Sequence, residues 1–203
     1  MNNLAQLSDR RNLPAIQNYN RIVGKAKQNF GLISQFKNQD FDSAVWQYKG
    51  QNLFFSEHPK NGPEFNDFVT ETVKAFVVDH LYIREFQNET LSYSRVKGLV
   101  NIGKDLNRYG IAAIQDLSQT KYEALFRAVF QYTQSTEKFS NLNSYMNYLC
   151  NEYVIPWKID ILSAPKKNED FKPKEEKLPG QDLIAGIIGV VHKLESLDNS
   201  EGK

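Results

Sequence analysis

Lys97, Asn101, Lys104 and Arg108 follow one another at spacings of four, three and four. On an α-helix those spacings fall on one face. Three cations and an amide in such a row can reach successive phosphates or base edges. An ordinary solvated helix face has the same pattern, so the row alone leaves both readings open. A second row is Asn143, Ser144, Asn147 and Asn151, with Ser140 beside it. It is polar yet almost uncharged. Asn can hydrogen-bond an adenine edge in two places, and Ser can contact bases or phosphates. Asn and Ser form helices less readily than Lys or Glu. This face therefore carries a propensity cost that a merely solvated surface would avoid.

Other chemistry finds little material. The sequence has no Gly-rich phosphate loop, no metal-ligand spacing and no nucleophile with a base close in sequence. No cofactor is expected. His80 lies near an apolar helical stripe and reads as a packed boundary histidine rather than a ligand. The one cysteine, Cys150, excludes an internal disulfide framework and suits a reducing interior. It sits between two helix faces and reads as a small buried filler. Asn88-Glu89-Thr90 matches a glycosylation acceptor, taken as accidental because Met1 to Arg11 lacks a signal peptide's apolar core. No apolar run approaches the roughly 20 residues of a membrane span, so a cytoplasmic protein is expected.

Both rows lie within 63–155, which reads as four consecutive amphipathic helices. The first is expected to open at Pro63 or Glu64, with Phe65, Phe68, Val69, Thr72, Val73, Phe76 and Val77 at helical spacing. The second is expected from about Glu89 to Tyr109, capped by Thr90 and closed by Gly110. The third follows Ser118 as cap, its core stripe being Tyr122, Leu125, Phe126, Val129, Phe130 and Thr133. The fourth is expected from about Asn141 to Tyr153, with Leu142, Tyr145, Met146, Leu149 and Tyr153 inward.

Upstream, Pro14 opens a helix carrying Ile16, Tyr19, Ile22 and Val23. Arg10, Arg11, Arg21, Lys25 and Lys27 decorate it, as a solvated face or as an arm touching phosphate. Ala44–Tyr48 and Leu53–Phe55 flank Lys49-Gly50-Gln51-Asn52 and predict a small β-hairpin. His58 to Pro63 is a turn cluster and a boundary. Downstream, Trp157 and Ile159–Leu162 are expected to pack on the bundle first. Pro156, Pro165 and Pro173 with mixed charge mark a connector. From Pro179, the residues Leu183, Ile184, Ile187, Ile188, Val191 and Leu194 form an apolar stripe that needs a partner surface.

Net charge is +1, unevenly spread. Residues 1–62 carry eight Lys+Arg against four Asp+Glu, and residues 63–155 nine against eleven. A nucleic-acid footprint must therefore be local, made by which face the cations occupy.

The order of these pieces resembles a known family. The Trp-bearing lead-in from Ala44 to Phe55 precedes a helix opening Pro63-Glu64-Phe65-Asn66-Asp67-Phe68. Three more helices follow, then Trp157-Lys158, a Pro- and Lys-rich connector, and Glu176-Lys177-Leu178-Pro179 before an apolar helix. Over roughly residues 44–195 this is similar to the N-terminal half of large phage and bacterial site-specific integrases of the tyrosine recombinase family. The resemblance implies a mainly α fold: a four-helix core-binding (SAM-like) bundle, an N-terminal extension with a hairpin, and a C-terminal helix after a linker. The implied domains are extension 1–62, core-binding domain 63–155, linker 156–178, and 179–203 as the first helix of a truncated catalytic domain.

The family's chemistry uses a tyrosine nucleophile on a DNA phosphate, with two arginines and an intervening His/Lys set. The last arginine here is Arg127, so no Arg-His-x-x-Arg box follows the connector. This fragment is expected to grip double-stranded DNA without cutting it, with self-association on the DNA. The grip is placed on Lys97, Asn101, Lys104 and Arg108 together with Asn143, Ser144, Asn147 and Asn151. A duplex would then lie across both rows. The alternative is a helical protein–protein adaptor that meets a partner through its last helix and aromatic surface.

Overall fold

The computed structural model describes residues 14–57, 62–133 and 135–163, all within one compact unit that ends at Ala164. Expectations that fall on Arg10 and Arg11, on the connector beyond 163, or on the stripe from Leu183 to Leu194 lie outside the described residues. The protein is mainly helical, with one small two-stranded antiparallel sheet.

Pro14 stands immediately before helix α1 (Ala15–Phe30). Its ring fixes φ and it has no N–H to leave unpaired. Helix α1 buries Ile22, Val23, Ala26 and Phe30. A short helical turn, Ser34–Phe36, leads to β1 (Val45–Tyr48) and β2 (Gln51–Phe54), paired from Val45↔Phe54 to Tyr48↔Gln51. The two residues between the strands, Lys49 and Gly50, both have positive φ, +49° and +72°. That is the primed turn whose twist matches a two-residue hairpin, and Gly50 adopts it without a Cβ penalty.

The hairpin continues further than its alternation implies. Ser56 bridges Glu64, and the Phe65 N–H donates to the Phe55 carbonyl at 3.2 Å. This pairing holds 63–65 extended, so helix α2 (Asp67–Phe86) starts later than Pro63 or Glu64. Asn66 caps it, accepting from the Val69 N–H at 3.0 Å. Helices α1 and α2 run side by side in the same direction, joined by Lys25–Asp79 at 2.9 Å and by the Tyr19 hydroxyl on Glu71.

The helix expected over 89–109 is two. Ser92, not Thr90, caps α3 (Tyr93–Val100), and α4 (Ile102–Arg108) follows a break at Asn101. Gly98 and Gly103 flank the break and weaken helix on both sides. There the Lys104 N–H reaches back only three residues, to the Asn101 carbonyl at 3.1 Å. Gly103 also lets the Phe65 ring close in, since a Cβ at 103 would meet ring atoms at 2.4 and 2.7 Å. Phe65 is buried and cannot swing clear. Gly103→Ala is therefore expected to cost about 1–2 kcal/mol, overpacking outweighing the roughly 1 kcal/mol helix gain. A chemical-denaturation midpoint reads it, and an unchanged or raised midpoint would refute it.

Helix α5 (Gln119–Thr133) follows Ser118, which accepts from the Lys121 N–H at 3.3 Å. Its Tyr122, Leu125, Phe126 and Val129 are buried. The side chains of Phe130 and Thr133 lie outside what is described. Helix α6 (Thr136–Asn151) starts five residues ahead of Asn141, because Ser135 caps it. Tyr153 has left that helix, at φ +55°.

The boundary expected at 62/63 is not a gap in packing. Phe30, Phe36, Phe41, Trp46 and Phe55 form a ring cluster, with centroids as close as 4.6 Å for Trp46–Phe55. Lys74 of α2 reaches into it and is only 2% exposed. Its ammonium lies 5.5, 5.4 and 5.0 Å from the Phe41, Trp46 and Phe55 rings. It donates to the carbonyls of Phe41 at 2.8 Å and Ser43 at 2.9 Å. Cation–π attraction and two charge-assisted bonds hold a charge there without a carboxylate. Burial still pushes its pKa down from 10.5 to about 8. The unfolded chain then binds more protons than the folded one between about pH 8 and 10.5. Stability therefore gains with rising pH across that window. Comparing denaturation midpoints at the two ends of the window's lower half should show the rise in the wild type and not in Lys74→Met. A parallel rise in the variant would refute the assignment.

Candidate nucleic-acid interface

Lys97, Asn101, Lys104 and Arg108 do fall on one side of α3–α4 despite the break. Lys97, Asn101 and Lys104 line a groove of about 70 Å³ whose other wall is β2, through Asn52, Leu53 and Phe54, with Tyr93 and Val100 completing it. The walls are tied together: the Tyr93 hydroxyl donates to the Asn52 carbonyl at 2.8 Å. The Lys97 ammonium stands 5.7 Å from the Tyr93 ring, a cation one turn from an aromatic. Lys97 and Arg108 are exposed and Lys104 is half-buried.

Among the described residues, Lys37, Lys49 and Arg127 stand singly without an ion pair, whereas this row gathers three such cations on one side. Lys25, Lys27, Arg84, Arg95 and Lys121 each meet a carboxylate. Among the described residues, Lys97, Lys104 and Arg108 meet none. Burial pushes the Lys104 ammonium below the ordinary lysine value, and the neighbouring charges of Lys97 and Arg108 push it further. The nearby Asp105 is held above the usual carboxylate range by burial, although Lys138 and Arg108 oppose this. It faces α6, where the Lys138 ammonium lies 3.9 Å away.

The amide row behaves differently. The residues of α6 that meet α3 and α4 include Glu137, Lys138, Asn141 and Leu142. Asn143 follows Asn141 by about 200° around the helix. Its carbonyl oxygen accepts from the Tyr122 hydroxyl at 2.7 Å, and its amide donates to the Leu162 carbonyl at 2.7 Å. The Leu162 N–H closes the loop onto Tyr122 at 2.9 Å. Ser144 donates to the Ser140 carbonyl one turn back at 2.7 Å. Asn147 and Asn151 are exposed. Asn143 is therefore not free to meet a duplex, because α5 and the strap formed by 154–162 take up its amide. Asn143→Leu is expected to cost about 1–2 kcal/mol by stranding the strap's polar groups. It should leave duplex affinity unchanged, as a paired melting and binding measurement would show.

Two groups escaped sequence reasoning. Asn52 and Phe54 form the groove's far wall through a long-range packing that no local pattern announces. The neighbour Tyr93 was signalled, standing four residues before Lys97 on the same helix face. Asn141 is 1% exposed, and neither polar atom of its side chain has a partner. It lines a cavity of about 10 Å³ with Gly98, Asn101 and Asp105, room for about one water.

His80 is half-buried against Phe76, and burial lowers its pKa. Burial raises that of the Cys150 thiol. Among the described residues no group of three or more His, Cys, Asp or Glu is placed to hold a metal ion, and no helix is long and apolar enough to cross a membrane.

Fold and groove together define a class: a mainly helical domain with a hairpin packed on it and an unpaired cationic row along the seam. No family model, curated protein or solved structure matches the chain.

Proposed function

We propose that the chain is a duplex-DNA-binding module, the gripping part of a site-specific recombinase of the tyrosine integrase type, with α2–α6 as its SAM-like core-binding bundle. One observation carries the binding: Lys97, Lys104 and Arg108 follow one another along one side of α3–α4, Lys104 is disfavoured by the charges of the other two, and among the described residues none of the three has a carboxylate within ion-pair distance. Such a row gains most from an anionic partner, and a phosphate backbone supplies anions in sequence. The parentage rests on the order of sequence pieces from Ala44 to Pro179. The module works inside the cell, holds DNA and leaves bond cleavage to other parts of the recombinase.

A fluorescence-anisotropy titration of a labelled duplex through a salt series tests it. The expected log–log slope is about −2 to −3, for two to three phosphates at about 0.9 each. No binding at low salt would remove the proposal.

A second reading has its own observation. Phe86 is 84% and Leu32 62% exposed, and Ile83 stands one turn from Phe86. The loop carrying Leu32 is fastened there by the Ser34 N–H on Glu85 at 2.9 Å. Exposed apolar groups at one end of α2 suit a protein partner. This adaptor reading expects self-association or partner capture that Phe86→Ser with Leu32→Ser abolishes, and sedimentation velocity reads the self-association.

A further inference from the structure

We propose that the groove between β2 and α3–α4 seats one phosphodiester group of the DNA backbone, with the hairpin as a working wall of the interface. This rests on reading the cationic row as a duplex-binding face. The groove's volume of about 70 Å³ is several times the roughly 10–15 Å³ that one water needs. Lys97 and Lys104 supply charge from one wall, and no carboxylate lines it. Asn101 and Asn52 line it from opposite walls and carry amides able to donate. Phe54 and the Tyr93 ring offer apolar surface that a sugar can cover.

The seat is preorganised. Tyr93 pins the walls through the Asn52 carbonyl, so little ordering remains for the ligand to impose. The ammonium of Lys104 is disfavoured by burial and by its cationic neighbours, and a bound anion would reverse that. Arg108 stands one turn further along, outside the groove. This suits a chain of phosphates over an isolated anion.

The test is Asn52→Asp in the full chain. It places a negative charge in the seat, changes little in size, and keeps the backbone carbonyl that Tyr93 uses. Duplex affinity should fall about tenfold, and the salt slope should shrink by about 0.9, the share of one phosphate. The neutral variant Asn52→Gln should keep the wild-type slope, and a wild-type melting midpoint for both certifies the fold. If Asn52→Asp binds with unchanged affinity and slope while reversal of Lys97 and Lys104 still destroys binding, the seat is wrong and the DNA-binding face stands. If the wild type binds no duplex at low salt, both are overturned. Inorganic phosphate is the third arm, followed by the Lys104 ammonium resonance. Displacement of phosphate by duplex supports the backbone assignment; phosphate that duplex cannot displace overturns it in favour of a free-anion site.

Discussion

A fragment lacking residues 1–62 is expected not to fold. The sequence resemblance places the core-binding domain at 63–155, so this truncation is the obvious one to make. It would strip Ile22, Val23, Phe30 and Ile33 from the side of α2, and Phe36, Phe41, Trp46, Leu53 and Phe55 from around Lys74, all of them buried. At about 1.5–3 kcal/mol for each large side chain, that burial matches or exceeds the 5–15 kcal/mol by which an ordinary domain is stable. The loss also leaves the Lys74 ammonium against α2 without the carbonyls of Phe41 and Ser43. Residues 63–163 should show collapsed amide dispersion and no cooperative melting, whereas residues 14–163 should show both. A cooperative transition in the shorter fragment would contradict the single-core description.

The second large effect is on binding. Lys97→Glu with Lys104→Glu turns two cations of the row into anions, changing the formal charge by four. Duplex affinity at low salt is expected to fall by about a hundredfold or more, since each reversal removes a phosphate contact and adds a repulsion. Lys97 is exposed and Lys104 half-buried, and neither meets a carboxylate. Folding should therefore survive, and relief of the repulsion around Lys104 works in the same direction. The control is Lys37→Glu with Arg127→Glu. It makes the same change of charge at exposed positions on other elements. Equal losses in the two double variants would mean that net charge matters and the groove does not.

What the sequence made legible follows from how local the cause is. The hairpin announces itself because aromatic residues flank a Gly turn; the stripe after Pro14 is only partly legible, since Ile22 and Val23 are buried but Ile16 is 55% exposed. The late start of α2 was hidden, since it depends on Phe55 and Ser56 pairing with Phe65 and Glu64 further along the chain. The break at Asn101 was hidden for a related reason. Gly98 and Gly103 only weaken the helix, and the contact with Phe65 comes from far away in the chain. Of the candidate site, the cationic row was visible because helical spacing alone makes a face. The amide row misled because spacing shows which residues share a face but not what lies against it. Trp157 does pack back, donating to the Leu117 carbonyl at 2.9 Å, and the strap that carries it reaches Asn143.

The enclosed amine of Lys74 gives the protein a built-in probe of its own opening. Near pH 8 much of that amine is uncharged and hence nucleophilic, yet rings and carbonyls shield it from reagents. In acylation followed by mass spectrometry it should modify far more slowly than Lys37 or Lys49. Its rate would then report how often the hairpin and the loop before it lift away from α2.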